Sequence, residues 1–180
     1  IGSICCVSEG GWIDFARRIE EAGADALELN VFFLPADPMV AGAEIERQYL
    51  SVVRDVAEKV SVPVAVKIST HFTSPLNMIQ GIRQCGAESV VMFNRFYEPD
   101  INTDSVQVME ADIFSTSADL RGSIRWIAMA SAAFPDLDIA ASTGVHTGAD
   151  AVKVLLAGAS AFEVCSAIYH NGLGVIDRIN

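Results

Sequence analysis

Residues 139–167 read IAASTGVHTGADAVKVLLAGASAFEVCSA. A short apolar run, Leu137–Ala141, leads into Ser142-Thr143-Gly144. Thr147–Ala157 then has helical spacing, opened by a capping box between Thr147 and Asp150 and stopped at Gly158. A second apolar run, Ala161–Cys165, ends at Ser166, which can cap a following short helix. Strand, helix and strand in so short a span require a crossover connection, and therefore parallel strands. Gly144 allows backbone N–H groups to come close to an anion. The positive dipole end of a helix after Ser166 favours the same kind of ligand. Two successive βα turns of this type are how parallel barrels hold a phosphate after their last two strands.

Working outward, the rest of the chain repeats the same unit. Ser3–Val7 has the pattern of a strand and Gly11–Ala22 that of a helix, with Gly23 as its stop. Ala26–Val31, Pro63–Ser69 and Ser89–Phe93 are predicted strands. Glu44–Val60, Leu76–Cys85 (stopped at Gly86) and Leu120–Phe134 are predicted helices. The residues between Asn94 and Ser117 are polar and irregular, and Asp104–Phe114 alternates weakly. They predict a hairpin-like insertion at about 95–118. The units predict an α/β fold: a parallel (β/α) TIM-type barrel with about six of its eight βα units present, as a single partial-barrel domain over residues 1–180. An open doubly wound sheet of six strands has the same periodicity. The chain begins at Ile1 rather than methionine and ends at Asn180 inside a helix-like run. The expectation is a segment of a longer polypeptide, with the two missing units before Ile1.

Of the 180 residues, 51% are apolar, which suits a buried parallel sheet. Twelve basic against 23 acidic residues give a net charge of −11, which argues against nucleic acid or an anionic membrane surface as partner. A small phosphorylated ligand is still compatible, because helix N-termini and one lysine suffice to hold it. Cys5, Cys6, Cys85 and Cys165 form no C-x-x-C pair, and His71, His146 and His170 have no metal-ligand spacing. Reduced thiols in a cytoplasmic protein, and no metal, are expected. The apolar runs are short and broken by charges, so no membrane span is expected.

Alternation along the strands nominates the residues of a site. Glu28 and Asn30 share one face of their strand, and Ala65, Lys67 and Ser69 share one face of the next. Turned into a barrel, these faces place Asn30 and Lys67 at the C-terminal end, where such barrels keep their sites. Buried charges need partners, so Glu28 and Lys67 form a structural pair, Lys67 faces a ligand's negative charge, or both. Asn94 ends a further strand and is expected to face inward with Val90 and Met92. His71 and His146 each lie just past a strand end.

The succession E-L-N (Glu28–Asn30), P-V-A-V-K-I (Pro63–Ile68), a strand ending in Asn94, an inserted hairpin, and T-G-V…D-A…L-L-A-G-A…C-S-A resembles the dihydroorotate dehydrogenases. The resemblance covers nearly the whole chain and starts near that family's third barrel strand. It implies a (β/α)₈ barrel carrying FMN, a small-molecule substrate, a role in pyrimidine biosynthesis and, as one assembly, a homodimer. It implies that Asn30 touches flavin and substrate, and that Lys67 stands beside the flavin pyrimidine ring. Phe93 and Asn94 then line flavin and substrate, and Thr143, Gly144, Cys165 and Ser166 form the two phosphate loops. The chain departs from the family at several of these places. Thr143-Gly144 stands for two glycines, and Cys165-Ser166 for Gly-Thr. Phe33 falls where the family carries its Cys or Ser base, Ala36 replaces a substrate-binding asparagine, and Ser115-Thr116-Ser117 replaces a glycine-rich stretch. The resemblance thus implies an FMN-dependent oxidoreductase with an altered active-site loop. The alternatives are a non-catalytic flavin- or phosphate-binding relative, and a lyase or isomerase acting on a phosphorylated substrate without flavin.

Overall fold

A computed structural model describes residues 1–6 and 9–179. In chain order these form β1 (Gly2–Ile4), α1 (Glu9–Glu21), β2 (Leu27–Asn30), α2 (Gly42–Ala57), β3 (Val64–Ile68), α3 (Pro75–Gln84) and β4 (Ser89–Met92). There follow β5 (Pro99–Asn102), β6 (Gln107–Glu110), α4 (Leu120–Ala133), β7 (Asp138–Ala141), α5 (Gly148–Leu156), β8 (Ala161–Phe162), α6 (Ser166–Asn171) and α7 (Val175–Ile179). The strand predicted over Ser3–Val7 corresponds to β1, and Val7 lies outside the described residues. The last predicted strand is shorter than expected: β8 stops at Phe162, although the Glu163 N–H still donates to the Ala141 carbonyl at 2.8 Å.

Six strands pair in the order β1-β2-β3-β4-β7-β8, all parallel. The order follows the sequence without reversal. A doubly wound sheet reverses its order at a switch point, so that alternative is excluded. Helices α1 to α5 touch one another in the same succession, α1 on α2 through to α4 on α5. Helix neighbours that track strand neighbours lie on one side of the sheet, as in a barrel. Leu27, Leu29, Val66, Ile68, Val90, Met92 and Ile139 point to that side and are 0–1% exposed. They form the core, and the other face of the sheet is concave.

The curl can be read from one ion pair. Lys67 on β3 and Glu163 just after β8 are separated by β4 and β7. Three strand steps on a flat sheet would hold them roughly 14 Å apart. Their charged atoms are 2.5 Å apart, so the sheet bends around them into a half-barrel.

The register corrects one expectation. Val66 pairs with Val90 and Ile68 with Met92, so Val90 and Met92 face the helices, while Val91 shares the Lys67 face. Asn94 reaches the concave side because the chain changes partner after Met92. The Phe93 N–H donates to the Ser142 carbonyl at 3.2 Å, and the Asn94 N–H to the Ile68 carbonyl at 2.8 Å. The insertion holds an antiparallel hairpin, β5 paired with β6, whose eight strand residues are all exposed. Its strands flank the turn at Asp104 and Ser105, whose N–H groups donate to Asn102 Oδ1; of the weakly alternating Asp104–Phe114 only Gln107–Glu110 is strand, and its partner lies earlier, at Pro99–Asn102.

Candidate functional site

The concave face carries a polar row at the C-terminal ends of the strands. Asn30 and Lys67 are register partners on β2 and β3. Asn94 Nδ2 donates to Asn30 Oδ1 at 2.5 Å, so the two asparagines meet across β3. Lys67 pairs with Glu163 rather than with Glu28. The reason is positional: Glu28 lies one inward row lower, level with Ala65, while the curl brings Glu163 level with the lysine head. Glu28 is 7% exposed. Burial pushes its carboxyl up, to about 7, and Glu163 adds to the rise; the Ser3 hydroxyl, donating at 2.6 Å, opposes it. Burial also works against the Glu163 charge, but hydrogen bonds from Glu28 and Lys67 outweigh it and hold the Glu163 carboxyl low. Of the two carboxyls Glu28 is thus the one that takes up a proton first, while Glu163 keeps its charge beside Lys67.

Above this cluster opens a cavity of about 480 Å³, lined by Lys67, Asn94, Thr143, Gly144, Glu163, Cys165 and Ser166 among others. That volume falls in the roughly 300–1,000 Å³ range of ligand pockets. Both loops of the quoted stretch reach it. Phe93 is buried beneath it at 2% exposure, and its carbonyl accepts a 3.0 Å bond from the Thr143 hydroxyl. Thr143 and Gly144 have φ of 73° and 94°. This left-handed pair turns the backbone sharply, and Gly144 adopts it at no steric cost.

Ser115, which stands where a glycine-rich stretch was expected, ties the two loops together. It is 8% exposed. Its Oγ accepts from the Gly144 N–H at 3.3 Å, lies 3.0 Å from His146 Nε2 and donates to Ser166 Oγ at 3.1 Å. The Ser115 N–H also donates to Ser166 Oγ, at 3.0 Å. An anion in this corner meets the Ser115 and Ser166 hydroxyls and competes with Ser115 for the Gly144 N–H. Arg95 lines the rim and holds the insertion down, donating to the carbonyls of Asp112 and Ile113.

Sequence reasoning passed over Ser115, Arg95 and Glu163. Glu163 was legible, since Ala161 and Glu163 alternate along one face of the last strand. Ser115 and Arg95 carried no local signal; the chain path of the insertion brings them in.

Ser117 anchors the same strap to α5. Its Oγ donates to Asp150 Oδ2 at 2.7 Å, and that carboxylate also accepts from Thr147 Oγ1 at 2.9 Å and from Lys153 at 3.1 Å. The capping box read from sequence is present at Thr147 and Asp150. Burial disfavours the Asp150 charge, but the bonds from Ser117, Lys153 and Thr147 prevail and hold the carboxyl down at about 2. A depressed acid stabilises the fold above its unfolded value and loses that contribution as pH falls toward the folded one. Asp150→Ala should therefore lower unfolding stability by about 2–3 kcal/mol at neutral pH. The gap to the parent should close between about pH 4 and pH 2, as denaturant midpoints at pH 7 and at acid pH will show.

Phe33 lines neither the Lys67 cavity nor the Ser115 corner within it. Its ring meets Tyr49 on α2 edge-on at 4.9 Å, and its N–H donates to the Tyr49 hydroxyl at 3.3 Å. Ala36 is exposed in a tight turn, its N–H bonded to the Leu34 carbonyl at 2.9 Å. His71 stacks beside Phe96 in a second cavity on the same end of the sheet. Among the described residues no group of three or more His, Cys, Asp or Glu could hold a metal, and no helix is long and apolar enough to cross a membrane.

The family profile for dihydroorotate dehydrogenase matches residues 3–180. The dihydroorotate dehydrogenase B (NAD(+)) catalytic subunit of Thermoplasma volcanium is 25% identical over 192 residues, covering 97% of this chain and 58% of that protein. The subunit of the same name from Pyrococcus abyssi is 28% identical over 184 residues, covering 92% of this chain and 57% of that one. The crystal structure of ligand-free DHODH from Eimeria tenella superposes with a TM-score of 0.71 at 18% identity, over 98% of this chain and 55% of that one; this likeness concerns the fold. The chain spans just under 60% of the length of these curated relatives.

Proposed function

The chain belongs to the dihydroorotate dehydrogenase family, and from that premise we propose that it carries the cofactor side of an FMN-dependent oxidoreductase whose substrate loop differs from the family's. The observation that carries this is the convergence on one cavity of Lys67, Asn94 and the two loops at Thr143–Gly144 and Cys165–Ser166. The residues fit a phosphorylated flavin. Hydroxyl and N–H donors gather in one corner at Ser115, Gly144 and Ser166, and a lysine stands elsewhere on the same cavity. Bound FMN supplies a two-electron acceptor for hydride from a substrate carbon.

The chain's own residues do the rest. Ser115, Gly144 and Ser166 bind the phosphate, and Asn30 and Asn94, fixed by their mutual hydrogen bond, orient polar groups of flavin and substrate. Lys67 would supply a cation on the cavity wall to offset the negative charge of a reduced flavin, and Glu163 offsets part of that cation.

Glu163→Gln should unmask that cation. FMN held by the full-length variant should have a midpoint potential higher by about 30 mV or more, since 30 mV is about 1.4 kcal/mol for two electrons. Redox titration against a reference dye reads this, and a potential equal to the parent's would show that Lys67 does not face the flavin.

The reading itself is tested on the full-length protein by its colour. Absorbance bands of flavin, with FMN released on denaturation, are expected. A colourless protein that takes up no added FMN would sink the proposal and favour a phosphate-binding barrel without flavin.

A further inference from the structure

The second cavity, of about 500 Å³, is built by the segments that follow β2, β3 and β4 and by the start of α2. Its walls are mostly rings. Phe32 stacks on Phe96 with centroids 4.1 Å apart and planes 24° apart, and His71 lies 5.8 Å from Phe96 on a similar plane. Phe33, Tyr49 and Phe72 form an edge-on series at 4.9 and 5.2 Å. Phe32 keeps 39% of its surface exposed, so this aromatic surface remains open to a guest.

The place of this cavity relative to the first is set by a repeated pairing. Asn30 bonds to Asn94, and two residues further along both segments Phe32 stacks on Phe96. The segments after β2 and β4 thus run side by side, with Asn94 of the polar pair lining the first cavity and both rings of the aromatic pair lining the second. A molecule held at the asparagines has the rings as its next neighbours.

Charge narrows the guest. The described lining residues include the carboxylates Glu46 and Glu98 and the imidazole of His71, and neither lysine nor arginine is among them. A carboxylate entering here would lose hydration and face two carboxylates, with the His71 imidazole as the one described lining side chain able to answer its charge. Ser69 and Thr73 offer hydroxyls.

We propose that this cavity binds a flat, uncharged, apolar ring, and that such a ring is the non-reacting part of the substrate whose reacting end lies at Asn30 and Asn94. The second half of this statement rests on the oxidoreductase reading above; the ring site does not.

The test uses the full-length protein and two matched probes, 2-naphthamide and 2-naphthoate, in equilibrium dialysis, with FMN content measured on the same samples. The amide is expected to bind about tenfold more tightly than the anion or better. Phe96→Ala, which removes a stacking face, and Val40→Trp, which fills the cavity from its exposed rim, should each weaken amide binding about tenfold. Equal or tighter binding of 2-naphthoate, no binding of 2-naphthamide, or amide binding unchanged in both variants would overturn the ring site. Absence of FMN with amide binding intact would remove the oxidoreductase reading and leave the ring site standing. Bound FMN without discrimination between the probes would do the reverse.

Discussion

Dihydroorotate should reduce the FMN of the full-length protein at least about 10²–10⁴-fold more slowly than it reduces a family enzyme with a Cys or Ser base, the usual worth of general base catalysis. Phenylalanine has no group that can take a proton, and Phe33 stands at the base position. From sequence, Phe33→Cys with Ala36→Asn would be expected to accelerate the reaction. The structure alters that expectation. Phe33 points to Tyr49 on α2, and a thiol there would face the phenol ring rather than Asn30 and Lys67. Ala36 lines neither cavity. The double variant should therefore recover little, and Glu46 and Glu98 in the neighbouring aromatic cavity would still disfavour an anionic substrate there. Stopped-flow measurement of flavin reduction by dihydroorotate decides this. Rapid reduction of the parent would show that another group, His71 being the nearest candidate on this loop face, takes the proton.

Replacing Gly144 with valine should remove FMN binding and lower the melting temperature by about 10 °C. Two causes act together. Gly144 has φ of 94°, where a β-branched residue is strained by at least about 1–2 kcal/mol. A Cβ at this position would also stand 2.7 Å from the Leu120 backbone nitrogen. Sequence reasoning places that Cβ in the path of a phosphate; the structure places it against the first residue of α4. Leu120 is buried at 1% exposure and cannot move aside alone, so the helix start and the Ser115 strap must shift with it. A total of about 3–4 kcal/mol corresponds to the stated temperature change at roughly 2–4 °C per kcal/mol for a domain of this size. Calorimetry and flavin content on the same preparation check it. A variant that melts like the parent yet loses FMN would restore the phosphate-crowding explanation.

Several features were fixed by the chain itself. The apolar runs and the helical spacings between them determined parallel strands joined by helical crossovers, because strands linked in that way must run the same way, while the order of the strands, which excludes the doubly wound alternative, came from the tertiary structure. The capping box at Thr147 and Asp150 is local chemistry, and it was legible because its donors and acceptors lie within one turn. The inward placement of Asn30 and Lys67 followed from alternation alone. Other features required the tertiary structure. Glu163 rather than Glu28 became the partner of Lys67 because the sheet curls, a property of all six strands and not of any one. Asn94 turned inward against the parity of Val90 and Met92 because its N–H found the Ile68 carbonyl on the neighbouring strand. Ser115 became the link between the loops at Gly144 and Ser166 because the insertion returns there, and no local pattern encodes where a long excursion lands. Phe33 turned toward α2 because Tyr49, sixteen residues away on that helix, offered both a ring and a hydroxyl to hold it. Local periodicity thus determined the βα elements, while long-range packing decided the strand order and which charges and rings meet.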